Sequence, residues 1–163
     1  MNERSPAPGG LALVQSLVNT LDIESDVDSL DGGTFGLTEE ELPAARELRE
    51  SLRAALLAHA GHPPHRTVTP LGELLARAPL VVTVDAGDGS AALAPADEGP
   101  LLSRVAAAVA QALVEGTWTR LKACEAVDCH WAYYDRSPAG RGRWCSMQVC
   151  GARAKMRRYR AKD

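Results

Sequence analysis

The clearest chemical signal in this sequence comes from its four cysteines. They form two pairs, Cys124 with Cys129 and Cys145 with Cys150, each with four residues between its members, and fifteen residues separate the pairs. Tetrahedral Zn²⁺ is satisfied by four thiolates, and two short chelating loops can each deliver two sulfurs from opposite sides. We therefore predict one zinc ion held by these four cysteines, with paired disulfides or free buried thiols as the alternatives.

A site made of four thiolates is closed, because it leaves no coordination position for water or substrate. No motif in the sequence suggests a nucleophile with a base and an orienting group, and there is no phosphate-binding glycine loop. We therefore expect a structural zinc ion and a protein that is not an enzyme. Metal binding on the order of 10 kcal/mol would fold a module that is too small to be stabilised by its own core.

Two other groups of polar residues suggest metal sites but lack the required context. His59, His62 and His65 are evenly spaced, yet the glycine and prolines between them predict a loop, so no helix face gathers the imidazoles. The acidic stretch 22–31 suggests calcium, but no register supplies both the glycine and the glutamate of a calcium-binding loop. We interpret both segments as ordinary loops.

Basic residues are concentrated near the carboxyl end of the sequence. A cluster of positive charge gives sequence-independent affinity for nucleic acid, since each neutralised phosphate releases counterions. The candidate nucleic-acid-binding residues are Arg141 and Arg143, then Arg153, Lys155, Arg157, Arg158 and Arg160 of a final helix that Lys162 extends. The alternative is a solvated tail, or a helix that docks on an acidic surface.

The charge of the chain is divided between its two parts. Residues 1–115 carry 7 basic and 17 acidic side chains, a net charge of −10, whereas residues 116–163 carry 11 and 4, a net charge of +7. A basic module on an acidic body favours a localised surface for a polyanion. The same division would also let the two parts attract each other.

We expect a cytoplasmic protein with no membrane partner. No apolar run approaches the roughly 20 residues needed to cross a bilayer. Segment 11–21 is broken by polar residues and lacks a basic region before it, so it does not resemble a secretory signal. Thiols in the cytoplasm are kept reduced, which favours zinc over disulfides for this set of cysteines.

The residues before the cysteines are predicted to form a mostly helical body. Apolar residues recur at the 3.6-residue period of a helix face, and caps, prolines and glycines mark the helix ends. The predicted helices cover 11–21, Thr38 to about Gly61, a short segment after Thr69, and Pro100 to Gly116. Segments 80–85 and 91–94 flank a turn rich in glycine and aspartate, which predicts a β-hairpin. We therefore expect an α+β fold with a small antiparallel element.

The cysteines themselves are expected to lie on a chelating turn, a hairpin and a helix. Residues 124–129 predict the first chelating turn, and residues 131–134 have the composition of a strand. A turn over 135–142 would lead to a returning strand at 143–144, and the last ligand would lie on a helix from Ser146 onward. This order of elements predicts a treble-clef-like zinc finger. Its two tryptophans are expected to pack around the site.

The sequence around the cysteines resembles the CGNR zinc finger. The resemblance rests on segments 124–137 and 143–155, which include Arg-Trp-Cys-Ser-Met around the third cysteine and Cys150-Gly151 at the fourth. One residue departs from the pattern, because Ala152 stands where the motif has its asparagine. The cysteines are intact, so zinc binding is expected, but no role of that asparagine amide is carried over.

The CGNR finger typically follows an amino-terminal domain called ABATE, a family of stress-induced transcription regulators. Segments 17–20 and 46–49 resemble the usual opening of that domain. We therefore expect a disordered lead-in over 1–10, rich in proline and glycine, an ABATE-like helical regulatory domain over 11–116, and a CGNR-type finger with a basic helix over 117–163. The resemblance implies a transcription regulator that binds DNA.

A second class of function fits the same sequence. The finger could be a zinc-stabilised interaction module whose basic helix binds an acidic partner protein or the chain's own acidic body, and RNA is a third candidate target. A steep fall in affinity with salt would favour a polyanion, because the slope reports the number of phosphates engaged.

Overall fold

The computed structural model describes residues 5–161, in which six α-helices combine with three two-stranded antiparallel sheets and thereby confirm the predicted α+β fold. The helices are α1 (Leu11–Val18), α2 (Gly32–Phe35), α3 (Leu42–His59), α4 (Leu71–Leu75), α5 (Leu101–Val114) and α6 (Ala152–Arg160). The strands are β1 (Leu21–Asp22), β2 (Val27–Asp28), β3 (Leu80–Val84), β4 (Ala91–Pro95), β5 (Leu121–Ala123) and β6 (Ala132–Tyr134). None of the described helices is both long and apolar enough to cross a bilayer.

Helices α1, α3 and α5 form the centre of the molecule. Their facing sides bury a set of aliphatic side chains almost completely, and each contributes about 1.5–3 kcal/mol by leaving water. This set includes Val14, Leu17, Val18, Leu52, Leu56 and Val105. Helix α1 is shorter than the predicted helix over 11–21, because Leu21 pairs with Asp28 in the β1–β2 hairpin.

The start of α3 explains how a proline is accommodated there. The predicted capping box is present, since the Glu41 carboxylate accepts a hydrogen bond from the Thr38 N–H at 2.8 Å. A 3₁₀ turn at Glu39–Glu41 follows, and α3 itself begins at Leu42. Pro43 therefore lies in the first turn of α3, where a backbone N–H would have no helical partner.

The β-hairpin predicted in the body is confirmed as β3 and β4. Their register runs from Leu80 opposite Pro95 to Val84 opposite Ala91. Strand β4 lies along α5, which joins the hairpin to the helical centre. Most of the hairpin remains exposed to solvent.

The strand pairing near the cysteines differs from the prediction. Strand β6 pairs with β5, which precedes the first cysteine, and residues 143–144 form no strand in the structure described. Leu121 and Ala123 are fully buried, so β5 has the apolar surface that a paired strand requires. Segment 135–144 folds instead around the carboxylate of Asp135, which accepts several of its hydrogen bonds. The chelating turn is therefore the loop of the β5–β6 hairpin.

The β5–β6 hairpin packs directly on the helices. Leu121, Ala123 and Ala132 belong to the same apolar cluster as the buried residues of α1, α3 and α5. A second, smaller cluster contains Ala126 and Tyr133 together with the cysteines. The apolar core thus continues from the body into the carboxyl-terminal part, and the domain limits drawn from the sequence stay a prediction.

The amino-terminal segment begins to pack before α1. Residues 1–4 of the predicted disordered lead-in lie outside the described residues. Ala7 is buried, and its N–H donates to the side-chain oxygen of Gln15 at 2.6 Å. The chain therefore makes defined contacts from Ala7 onward, and the limit of the predicted lead-in stays a prediction.

Candidate metal centre and basic surface

The four cysteine sulfurs converge on one point. All four lie within 4.8 Å of one another, with 3.6 Å between Cys129 Sγ and Cys145 Sγ and 3.8 Å between Cys145 Sγ and Cys150 Sγ. A tetrahedral zinc ion with bonds of about 2.3 Å separates its sulfur ligands by about 3.8 Å. The predicted set of Cys124, Cys129, Cys145 and Cys150 therefore fits one zinc ion.

The first two cysteines are positioned by the turn between β5 and β6. The N–H of Cys124 donates to Trp131 O at 2.9 Å, and the N–H of Cys129 donates to Ala126 O at 2.9 Å. His130 adopts a positive φ of 47°, which turns the chain back into β6. These bonds bring both sulfurs to the same side of the turn.

The second two cysteines are positioned by a π-helical turn that begins α6. The turn covers Met147–Gly151, and the Ser146 hydroxyl accepts the Val149 N–H at 3.3 Å. Gly151 is closely packed, because a Cβ there would lie 3.1 Å from Met147 Sδ and 3.2 Å from Trp144 Cδ1. Cys150 is buried against the other three sulfurs, so the start of α6 is fixed to the metal site.

The surroundings of the cysteines are apolar, and this affects their protonation. The hydrogen bond with Cys124 favours the thiolate of Cys145, but contact with Cys129 and burial outweigh it and raise the pKa of Cys145 to about 12. A cation that binds here must displace the thiol protons, so metal affinity rises with pH. Trp131 and Trp144 pack against this cluster, as expected from the sequence.

A buried arginine that we did not identify from the sequence ties the chelating turn to the body. Arg53 of α3 is fully buried and donates to His130 O at 2.9 Å and to Val18 O at 2.8 Å. Its Nε lies 3.3 Å from the carboxylate of Glu50, which also contacts Arg49. The signal available in the sequence is the position of Arg49 and Arg53 beside the apolar positions of α3, where a charged side chain must find a buried partner.

The loop that carries Arg141 and Arg143 is organised by Asp135. Its carboxylate accepts hydrogen bonds from Lys122 Nζ at 2.8 Å, Ser137 Oγ at 2.6 Å and Gly142 N at 2.7 Å. Burial raises the pKa of Asp135, but the bonds from Lys122 and Ser137 outweigh it and lower the pKa to about 2. The carboxylate that holds the loop is therefore fully charged at neutral pH.

The predicted nucleic-acid-binding residues divide into paired and unpaired groups. Arg143 forms a two-pronged ion pair with Glu125, and Arg153 Nη1 lies 2.9 Å from Glu24 Oε1. The other five have no acidic partner within residues 5–161. These unpaired residues are Arg141, Lys155, Arg157, Arg158 and Arg160.

Helix α6 presents its basic side chains on two opposite faces. Lys155 and Arg158 line a cleft with Trp144, next to the exposed ring of Tyr159. The other face carries Arg153, Arg157 and Arg160 around Met156. Ala152, at the place of the motif asparagine, is exposed at the first position of α6 and borders both clefts.

His59 is the last residue of α3, His62 and His65 lie in the loop after it, and all three histidines take part in packing contacts. His59 Nδ1 lies 2.7 Å from Leu121 O, and the imidazole meets Trp118 edge to face. His65 Nε2 lies 2.8 Å from Glu50 Oε2, whereas His62 approaches Glu125 at 3.5 Å. The three imidazoles therefore make contacts at three separate places, with β5, with Glu50 of the body and with Glu125 of the chelating turn.

Comparison with known families matches both parts of the chain. Residues 11–116 match the family model ABATE, described as "Putative stress-induced transcription regulator", and residues 120–163 match the CGNR zinc finger. No protein with a curated description matches this sequence significantly.

Proposed function

Because this chain belongs to the ABATE family and carries a CGNR zinc finger, we propose that it is a DNA-binding transcription regulator that catalyses no reaction. The observation that carries the proposal is the exposure of α6, in which no residue is buried. A helix that served only to stabilise the finger would bury an apolar face. Helix α6 instead holds basic side chains in solvent at a fixed distance from the metal site.

The unpaired basic residues account for an electrostatic interaction with DNA. Five candidate residues carry a positive charge without an acidic partner in the described chain, and each can neutralise one phosphate. If all five contact phosphates, the logarithm of the affinity should fall against the logarithm of salt with a slope of about −4.5. The body, with a net charge of −10 over residues 1–115, would be repelled and would stay away from the DNA.

The dimensions of α6 suit the major groove. A helix of nine residues is about 13 Å long and 10–12 Å wide with side chains, and the groove is about 12 Å wide. One face of α6 would then contact the groove floor while the other contacts the flanking phosphates. The zinc ion has an orienting role in this arrangement, because Cys150 fixes the start of α6.

A second candidate function is supported by the contact between Arg153 and Glu24. This ion pair joins α6 to the acidic turn between β1 and β2, which matches the hypothesis that the basic helix binds the chain's own body. Both side chains are about half exposed, so water and salt screen the attraction between them. The pair is therefore better suited to modulating DNA binding than to replacing it.

The proposal also includes a cytoplasmic location. Four cysteines remain available to zinc where thiols are kept reduced. RNA and acidic proteins stay as alternative partners that the following experiment separates from DNA.

Fluorescence anisotropy of the zinc-loaded protein with a labelled random duplex, measured at several salt concentrations, tests the proposal. Two double variants each remove the unpaired basic side chains of one face of α6. The first combines Lys155→Ala with Arg158→Ala, and the second combines Arg157→Ala with Arg160→Ala. We expect the salt slope to decrease by about 2 for a face whose two residues both contact phosphates. Cys145→Ser should abolish both zinc retention and binding, because α6 then loses its fixed start.

The matched control is Arg66→Ala, which removes an exposed arginine of the body and should leave the slope unchanged. Binding that is equal in the wild type and both face variants would contradict the proposal. Preference for single-stranded RNA or for an acidic protein at equal salt would replace DNA by that partner.

A further inference from the structure

The β3–β4 hairpin exposes apolar side chains that nothing within residues 5–161 covers. Val82 and Val84 are 69% and 65% exposed, and Val81 is 46% exposed. Neither strand contains a charged residue. Edge strands are usually protected by lysine, proline or a bulge, so a neutral and exposed valine strand indicates an interaction surface.

Strand β3 is the open edge of this hairpin. Strand β4 lies along α5 and ends at Pro95, which has no N–H to offer, whereas β3 pairs only with β4 in the described chain. The hydrogen bonds of β3 with β4 also define the direction of its free groups. Hydrogen bonds at both ends of the hairpin run from Ala96 N to Pro79 O and from Asp85 N to Ser90 O. The odd-numbered residues of β3 are therefore the ones whose backbone groups bond to β4.

The even-numbered residues of β3 therefore direct their backbone N–H and C=O groups away from β4. An antiparallel ladder alternates between residues that bond to the neighbouring strand and residues that do not. Three residues, Leu80, Val82 and Val84, thus present six unpaired backbone groups along the outer edge. An added antiparallel strand of matching register would satisfy all of them.

We propose that β3 pairs with β3 of a second copy of this chain, in an antiparallel register centred on Val82. In this register Val82 lies opposite Val82 of the second copy, and Leu80 lies opposite Val84 in both directions. All six outward groups then find partners, and the contact is a two-fold interface in which both copies use the same residues. The result is a continuous four-stranded sheet across the dimer.

Charge complementarity supports a second copy as the occupant. Arg77 is exposed in the turn before β3, and Asp85 and Asp88 lie in the turn after β3, so antiparallel pairing brings the basic end of one strand to the acidic end of the other. The two acidic turns lie at opposite ends of the new sheet and do not face each other. The strands are neutral between them, so two acidic bodies can approach here without direct repulsion.

The expected dimer is of moderate affinity. A five-residue edge spans about 17 Å, and stable interfaces bury about 800 Å² per partner, which is more than one strand edge provides. We therefore expect a dissociation constant on the order of micromolar, with dimer and monomer both present in that range. The dimer places two metal sites and two α6 helices in one two-fold symmetric molecule.

Sedimentation velocity of the zinc-loaded full chain from about 1 to about 200 µM tests the proposal. We expect a concentration-dependent shift from monomer to dimer in the wild type. Val82→Lys should raise the dissociation constant by at least about tenfold, since two lysines would face each other across the two-fold axis. Val82→Pro should also raise the dissociation constant, without adding charge. Proline removes the N–H that points away from β4 but leaves the hydrogen bonds between β3 and β4 intact.

Val27→Lys is the matched control, since Val27 is also an exposed valine in a strand. It should dimerise like the wild type. Circular dichroism and zinc content of each variant establish that the fold is retained. A wild type that stays monomeric over the whole range, or a dimer unaffected by both Val82 variants, would overturn the proposal. Neither Val82 variant changes the finger, so DNA binding is tested independently.

Discussion

A single buried carboxylate, that of Glu50, organises the charged groups of α3. His65 Nε2 lies 2.8 Å from it, and the guanidinium groups of Arg49 and Arg53 contact it from the same helix. Burial raises the pKa of Glu50, but the bond with His65 and the two arginines outweigh this effect and lower the pKa from 4.5 to about 2. The carboxylate is therefore charged at every pH at which the protein is expected to work.

The pKa of Glu50 predicts how stability depends on pH. A carboxyl group whose pKa is lowered by folding stabilises the native state above its unfolded pKa of 4.5 and loses this contribution as the pH falls towards 2. Glu50→Gln should therefore cost about 3 kcal/mol at pH 7, and its difference from the wild type should shrink below about pH 4.5. Urea unfolding at several pH values measures this difference.

Both proteins in that comparison retain the zinc site, so acid loss of the metal affects them alike. Glu40→Gln serves as the control, because Glu40 is exposed in the 3₁₀ turn before α3 and has no basic partner in the described chain. A constant difference between Glu50→Gln and wild type from pH 7 to pH 3 would refute the role given to the Glu50 charge.

At the scale of secondary-structure elements, the β1–β2 turn and α6 interact across the two parts of the chain. The turn carries Glu24 and Asp26 and follows Asp22 of β1, and Glu24 pairs with Arg153 at the start of α6. Helix α6 continues directly from the π-helical turn that holds Cys150, and the pair Arg153–Glu24 is the ion pair that links it to the body within residues 5–161. In the proposed complex with DNA, the acidic turn would compete with phosphate for the first arginine of the helix.

Removal of the Glu24 charge should strengthen DNA binding. Glu24→Gln releases Arg153 and takes one negative charge away from the path of the DNA, so we expect affinity to rise about 2- to 5-fold at low salt. The gain should vanish at high salt, where surface charges are screened. Anisotropy titrations of Glu24→Gln and Glu40→Gln compare the same change of charge at a residue that pairs with α6 and at a residue that does not. An equal response of both variants would show that only net charge matters.

At the scale of the whole molecule, Arg53 joins three elements that are far apart in the sequence. Its guanidinium connects α3 with the end of α1 through Val18 O and with the chelating turn through His130 O. Two amide contacts support the same junction, since Asn19 exchanges hydrogen bonds of 2.9 Å and 2.7 Å with the backbone of Ala132. The body and the metal site are therefore expected to unfold together.

Loss of the Arg53 guanidinium should destabilise both parts of the chain. Arg53→Met keeps much of the side-chain volume but leaves two backbone carbonyls and the Glu50 carboxylate without this partner, at a cost of about 3–5 kcal/mol. Urea unfolding monitored by circular dichroism, together with zinc release to a chelator, should shift in parallel. Arg66→Met, a change of an exposed arginine, should alter neither. A loss of less than about 1 kcal/mol would contradict the junction described for Arg53.

Much of the fold and the metal site was predicted because their signals are local. Helix caps, the 3.6-residue period of α3 and α5, and the turn between β3 and β4 depend on residues close together in the sequence. The four cysteines were identified because thiolates paired at short spacing can reach one ion from two turns. The pairing of β6 with β5 was missed, since the choice between two flanking segments depends on which of them the helices bury.

The sequence by itself determined the chemistry of this protein: four thiolates for one zinc ion, a basic carboxyl-terminal helix and an acidic helical body. The tertiary structure alone decided which charged side chains are buried or paired and which remain available to a binding partner. It buries Arg53 between α1 and the chelating turn, pairs Arg143 with Glu125 and Arg153 with Glu24, and leaves five basic residues and the edge of β3 exposed. The physical reason is that burial and ion pairing arise from contacts between residues distant in the sequence, which no local pattern records.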